Sequence, residues 1–387
     1  MKKSLLFMAA LSSFASAAQA QSSVTMYGIV DAGLLYSNNS AGQKLYETSA
    51  GNLQGDRWGL KGTEDLGGGL KAVFLLENGF NVYTGKLGQG GDEFGRQAYV
   101  GIKSDQFGSV TLGRQYDSVV DFVGLLEAAD QWAPGQAAHP GDLDNLNNTN
   151  RTNNAIKYTS ANYSGVTFSG LYSLGGVAGD FNRNQIFSGG IGYSQGPLVL
   201  DLAYLNAKNP NYSFFGNNST SSATATNMGG SQVYSGFASA QTQQVIAAGG
   251  AYTFGPATLG GTYSNTQFKG LGQTAVTGQP TGSPTSGNAK LHNAEVNFKY
   301  QLTPALLLGV AYDYTKAYGV NNEKIHQGIV GVDYFLSKRT DLYATGLYQH
   351  VSGTNSFGAP ATAQLTGLSA SSTSNQVAAV FGIRHKF

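Results

Sequence analysis

One pattern recurs along most of this chain and leaves few folds open to it. From Leu291 to Leu302, the residues His292, Ala294, Val296, Phe298, Tyr300 and Leu302 share one parity, and Asn293, Glu295, Asn297, Lys299 and Gln301 share the other. Side chains alternate across a β-strand, so a period of two sends these sets to opposite faces. The segment after Thr303-Pro304 repeats the pattern, with Leu306, Leu308, Val310, Tyr312 and Tyr314 against Gly309, Ala311 and Asp313. It returns at Leu198, Leu200, Leu202 and Tyr204 against Asp201. The last segment sets Val377, Ala379, Phe381, Ile383, His385 and Phe387 against Gln376, Arg384 and Lys386.

Two kinds of connection separate these segments, and they alternate. Tight ones, rich in Gly, Pro, Asn and Asp, fall at 64–69, 104–108, 162–165, 195–197, 254–256, 302–304 and 336–340. Such residues supply hairpin backbone geometry. Long polar ones fall at 37–56, 81–95, 117–153, 175–187, 206–241, 269–290, 317–323 and 351–374. Seven tight turns and eight long loops join sixteen strands. An even strand number with short turns at one end and long loops at the other predicts an all-β chain, a 16-stranded antiparallel transmembrane β-barrel. A soluble sandwich also shows period two, but it has no reason to sort turn lengths by end.

The first residues indicate export. Met1-Lys2-Lys3 is basic, Leu5 to Leu11 is a short apolar core, and Ala18-Gln19-Ala20 fits a cleavage site. Residues 1–20 are expected to be a cleaved signal peptide and 21–387 the barrel domain. Losing Lys2 and Lys3 leaves 21 basic and 22 acidic residues, a balance with no electrostatic footprint for nucleic acid. Beyond the leader no run approaches the ~18 apolar residues of a spanning helix. The absence of Cys excludes a thiol nucleophile or disulfide framework. The five His residues lie in no G-x-S-x-G or H-E-x-x-H context, so no enzyme is expected.

Several motifs carry a resemblance. Ser23-Val24-Thr25-Met26-Tyr27-Gly28, with Asp31 and Gly33, resembles the opening strand of the Gram-negative general diffusion porins. Arg57-Trp58-Gly59-Leu60-Lys61-Gly62-Thr63-Glu64-Asp65-Leu66-Gly67 is similar to their second strand and first turn. Arg96-Gln97-Ala98-Tyr99-Val100-Gly101, Leu112-Gly113-Arg114-Gln115-Tyr116 and Asn150-Arg151-Thr152-Asn153-Asn154-Ala155-Ile156-Lys157-Tyr158 follow in the family's order, and the chain ends Gly382-Ile383-Arg384-His385-Lys386-Phe387. The whole mature chain is covered, and the β-proteobacterial branch is the most similar. The resemblance implies trimers of 16-stranded barrels in the outer membrane, passive diffusion of small hydrophilic solutes and ions, no cofactor and no metal. It also implies that the third loop, here 117–153, folds inward and narrows the pore. Val119, Val120, Phe122, Val123, Leu125 and Leu126 interleave there with Asp121 and Glu127, which predicts a short amphipathic helix on the wall.

Parity then assigns the wall. Arg57 goes with Gly59 and Lys61, while Trp58 and Leu60 take the lipid side. Arg151 goes with Asn153, Ala155 and Lys157. An arginine on the lipid face near mid-membrane costs ~2–4 kcal/mol, which favours the lumen. Parity does not decide Arg96, which is placed inward by its motif. Arg57, Lys61, Arg96 and Arg151 are thus expected to face Asp117, Asp121 and Glu127 across the constriction. Arg114 reads outward, and Asp92 or Glu93 of a neighbouring subunit's second loop is expected to pair with it at the trimer contact. The terminal Phe387 is expected to serve as the signal read by the outer-membrane assembly machinery. Membrane lipid and lipopolysaccharide are the remaining expected partners. The rival functions are a substrate-specific channel, and a surface adhesin or structural barrel using the long loops 206–241 and 351–374.

Overall fold

A computed structural model describes residues 23–213, 215–217 and 227–387. The expected leader, 1–20, lies outside them. The strands are β1 (Ser23–Ser40), β2 (Gln43–Ala50), β3 (Arg57–Gly67), β4 (Leu70–Gly79), β5 (Gln97–Ser104), β6 (Gly108–Gln115), β7 (Thr152–Thr159), β8 (Val166–Ser173) and β9 (Ile186–Gln195). They continue as β10 (Leu198–Lys208), β11 (Thr242–Phe254), β12 (Ala257–Lys269), β13 (Ala289–Thr303), β14 (Leu306–Gly319), β15 (Lys324–Phe335), β16 (Thr340–Ser352) and β17 (Asn375–Lys386). Antiparallel pairing runs strand to strand and returns to its start, because β17 pairs with β1 from Ile29↔Lys386 to Ser37↔Ala378. Closure removes the free edges that a membrane would leave unsatisfied.

Seventeen strands make sixteen staves. The other edge of β1 pairs with β3 over Ser23 to Ile29 and with β2 over Ala32 to Ser40, so β2 and β3 are two pieces of one stave. Residues 51–56 step out of the sheet between them. This corrects the expected loop at 37–56. Ala41 (φ 51°) and Gly42 (φ 90°) make a two-residue hairpin turn with both central residues left-handed, the geometry whose twist matches that of the strands. The polar composition of Ser37 to Ser40 had the look of loop. The carboxylates of Asp31 and Asp56 hold the step. Asp31 accepts from the backbone N–H of Leu53 (2.8 Å) and of Gln54 (3.1 Å), and Asp56 accepts from the backbone N–H of Asp31 (2.6 Å) and of Val82 (3.0 Å).

The alternation holds where it was read. In β13 and β14, Val296, Val310 and Tyr312 are exposed, while Asn293, Glu295, Asn297 and Asp313 are buried. The exposed apolar band is bounded by two aromatic rows. Tyr252, Phe254, Tyr300, Tyr334 and Phe387 lie at the tight-turn end, and Tyr263, Tyr312, Tyr318 and Tyr348 at the other. This is the girdle arrangement of membrane barrels. Among the described residues no helix is long and apolar enough to cross a membrane.

Candidate functional site: the constriction

The third loop crosses the barrel and lies on its inner face. Asp117 caps a helical turn, Ser118–Asp121, accepting from the backbone N–H of Val119 (2.8 Å) and of Val120 (3.4 Å). The expected single helix is broken at Phe122 (φ −106°, ψ −77°) into that turn, a 3-10 turn Val123–Leu126 and a further turn Ala128–Gln131. Two kinds of contact seat the loop. Large side chains press on glycines: a Cβ at Gly192 would meet the Phe122 ring at 2.8 Å, and one at Gly309 would meet the Trp132 indole at 2.3 Å. Inward polar side chains of the wall bond the loop backbone. Asn297 donates to Leu126 O (2.8 Å), Gln327 donates to Ala137 O (2.7 Å), and Ala128 N–H donates to Glu295 (2.9 Å). Alternation thus supplies glycines and amides on the inner face where the loop must sit.

Opposite this seat is a polar cavity of ≈ 370 Å³, lined by Arg57, Arg96, Arg151 and Tyr116 on one side and by Asp121, Asp130 and Asn147 of the loop on the other. Arg57 donates from Nε to Gly55 O (2.9 Å) and makes no ion pair with a described residue. Arg96 donates from Nε to Glu77 Oε1 (2.8 Å) and from Nη2 to the Tyr116 hydroxyl (3.0 Å). It precedes β5, which is why strand parity did not decide it. Arg151 donates to Thr149 O (3.0 Å) and lies over the Tyr116 ring. Burial and the neighbouring Arg96 push Arg151 down to about 9, so it stays charged at neutral pH. Asp121 pairs with Lys157 of β7. Burial raises the Asp121 carboxyl, and Lys157 opposes the rise. Asp130 accepts from Asn147 Nδ2 (3.0 Å). Surrounding protein and Asp142 push it up to about 7, against Arg57 and Arg96.

Other expected site residues stand elsewhere. Asp117 is fully buried and occupied by its helical turn and by Asn145 Nδ2 (2.8 Å), so it does not face the cavity. Glu127 is fully buried against the wall, where it accepts from His139 N–H (2.7 Å). Lys61 lies on the tight-turn side, over the Tyr27 ring and on a wider vestibule of ≈ 920 Å³, not on the constriction. Arg114 keeps the parity of the exposed Leu112, opposite Ala98 of β5, and its guanidinium donates to Gly95 O (2.8 Å), Gly216 O (3.1 Å) and Asn217 Oδ1 (3.3 Å) of its own chain. Asp92, the carboxylate that acts on it electrostatically, belongs to that chain as well, while Glu93 is exposed. Phe387 closes the seam. Its N–H donates to Gly28 O and its carbonyl accepts from Gly28 N–H, both at 3.0 Å. Asp130 and Tyr116 were missed by sequence reasoning; Asp130 carried the same signal as Glu127, an acid in an apolar stretch of the same loop.

The family model described as Gram-negative porin matches residues 8–355 of this chain. An outer membrane porin protein of Bordetella pertussis is 33% identical, over 90% of this chain and 94% of that protein. Outer membrane porin protein 32 of Delftia acidovorans is 31% identical over the full length of both. Among solved structures, the anion-selective porin from Comamonas acidovorans superposes with a TM-score of 0.71 at 24% identity, over 95% of this chain and all of that one. The trimer form of OmpT from Vibrio cholerae superposes with a TM-score of 0.64 at 17% identity, over 95% of this chain and 99% of that one.

Proposed function

Since the chain belongs to the Gram-negative porin family, and is therefore an outer-membrane channel, we propose that it is a general diffusion pore whose constriction favours anions. The observation that carries this is the lining of the narrow cavity. Arg57 and Arg151 face it without an ion pair among the described residues and Arg96 faces it paired with Glu77, while the loop offers Asp130 and an Asp121 already paired with Lys157. Asp117 and Glu127 are withdrawn from it, so the opposing negative field is weaker than the loop sequence suggested. Charged rings of this kind set ion preference. At physiological salt the Debye length is ~8 Å, comparable with the reach across a narrow pore, so the field survives in part. The Comamonas porin of the same fold is described as anion-selective, in keeping with this reading. Passage is driven by the solute gradient and requires no catalytic step.

Three partners complete the proposal. A homotrimer is supported by the trimeric OmpT that shares the fold. Lipopolysaccharide is supported by an outward basic band near the long-loop end, with Lys208, Lys269, Lys290, Lys316 and Lys324 and no carboxylate on the outward parity of β10 to β16. There Lys316 sits opposite Lys324. Like charges directly opposite repel, and an anionic headgroup relieves that repulsion. The outer-membrane assembly machinery is the third partner, reading Phe387 after residues 1–20 are cleaved. The test is single-channel recording in a planar bilayer under a salt gradient. Ohmic steps in threes with a reversal potential of anionic sign are expected. A cationic sign refutes the selectivity, and an inserted barrel without steps refutes the pore.

A further inference from the structure

Behind the third loop, away from the constriction, four carboxylates surround one imidazole. Glu127, His139 and Asp144 come from the loop, Glu295 from β13 and Asp313 from β14, and all five side chains are buried. No described lysine or arginine pairs with any of them; the ion pairs they make all involve His139. Each carboxylate uses one oxygen in the same way. Glu127 Oε1 accepts from His139 N–H (2.7 Å), Glu295 Oε1 accepts from Ala128 N–H (2.9 Å) and Asn297 (2.7 Å), Asp313 Oδ2 accepts from Asn293 (2.5 Å), and Asp144 Oδ2 accepts from His139 Nδ1 (2.7 Å). The second oxygen of each, Glu127 Oε2, Glu295 Oε2, Asp313 Oδ1 and Asp144 Oδ1, is buried without a hydrogen-bond partner among the described residues.

The imidazole is aimed. With Asp144 as an acceptor, Nδ1 carries the proton and the Nε2 lone pair points into the cluster, where the Thr262 hydroxyl donates to it over a long 3.4 Å, a contact that a bound ion displaces. There Nε2 lies 3.6 Å from Asp313 Oδ2, 3.8 Å from the unpartnered Glu295 Oε2 and 3.9 Å from Glu127 Oε1. These gaps are too long for hydrogen bonds, yet within a few tenths of an ångström of the roughly 3.4 Å edge of a ligand tetrahedron with ~2.1 Å metal bonds. Ligand atoms of Glu127, His139 and Glu295 all lie within 4.8 Å of one another. A carboxylate on Nδ1–H that orients a histidine for coordination through Nε2 is the usual outer-sphere support of a metal site.

We propose that Glu127, His139 and Glu295 bind a divalent transition-metal ion, with Asp313 beside it and Asp144 orienting the imidazole. Buried charge must be compensated. A proton on His139 offsets one of four negative charges, whereas a dication offsets two and gives the unpartnered Glu295 Oε2 an ion to coordinate. The imidazole selects a zinc-like ion over calcium or magnesium, which prefer oxygen alone. Two ligands lie on the loop and one on the wall, so the ion acts as a rivet between them. It enters during folding, before the loop is seated.

The test unfolds the full chain in chelator, refolds it in detergent with Zn2+, dialyses it and measures bound zinc by elemental mass spectrometry. One Zn2+ per chain is expected for the wild type and for His385→Gln, which alters an exposed histidine. His139→Gln is expected to fall at least tenfold in occupancy, and Asp144→Asn to weaken binding by ~10–100-fold. Glu295→Gln keeps the oxygen that accepts from Ala128 and loses the second carboxylate oxygen, so it serves if His139→Gln does not fold. A folded wild type that carries no more zinc than His139→Gln, or than Glu295→Gln, overturns the proposal and leaves the cluster to protons.

Discussion

Replacing Arg57 by Gln removes one positive charge from the constriction and breaks no ion pair with a described residue. The ≈ 370 Å³ cavity corresponds to a sphere about 4.5 Å in radius, and the atomic radii beyond it set the charge about 7 Å from a passing ion. In water two unit charges at that separation interact by about 0.6 kcal/mol. A Debye length of ~8 Å at 0.15 M salt reduces this to about 0.25 kcal/mol. Loss of the charge depletes anions and enriches cations by the same factor, so the anion-to-cation permeability ratio falls about 2.3-fold. At ~0.01 M salt, where the Debye length is ~30 Å, the same arithmetic gives about fivefold. The assay is the reversal potential of single channels under a KCl gradient at both ionic strengths. Lys61→Gln is the control, because Lys61 lies on the vestibule. An unchanged reversal potential in Arg57→Gln, or a shift equal to that of Lys61→Gln, refutes the assignment of Arg57 to the selectivity element.

Other expected outcomes concern the same site. Anion preference rises about twofold as pH is lowered from about 8 to about 5, because one lining carboxylate, Asp130, takes up its proton near 7. Burial, Asp142 and Glu295 drive that uptake and Arg57 and Arg96 resist it; in Asp130→Asn the pH effect is expected to vanish. The sign for stability is consistent: with a folded value raised above 3.8, Asp130 favours folding at low pH, and the contribution is lost as pH rises through about 7. Gly309→Leu drives a side chain into the Trp132 indole and unseats the loop, forfeiting packing of the order of 3–5 kcal/mol; open-channel noise and mean conductance both increase, and a quiet channel of unchanged conductance contradicts this seating. Deleting Phe387 lowers the yield of folded barrel in a heat-modifiability gel, while the channels that do assemble conduct normally.

Much of the barrel was legible because lipid outside and water inside impose a two-residue period that any strand must obey. Val296 and Asn297 could be assigned to opposite faces from spacing alone. The constriction loop obeys no such lattice. Asp117, Asp121, Glu127 and Asp130 are equivalent as letters, and their roles were decided by which tertiary partner each met. A helical turn took Asp117, Lys157 took Asp121, and the wall cluster took Glu127. Parity likewise gave a face for Arg114 but not its partners, which are oxygens of Gly95, Gly216 and Asn217. Arg57 and Arg151 could be assigned inward because the cost of an arginine in lipid outweighs any local preference.

The pairing of β1 with β17 also fixes an order of events. Residues near Ile29 wait for residues near Lys386, so the ring cannot shut until β17 has been delivered. Until then two long edges stay open, a state that aggregates readily in water and is intrinsically slow to resolve. The third loop is synthesised early, yet its anchors at Glu295, Asp313 and Gln327 come from the final third of the chain. A nascent or truncated chain therefore has no finished gate, and translocation selectivity matures at the same moment as the wall that carries it.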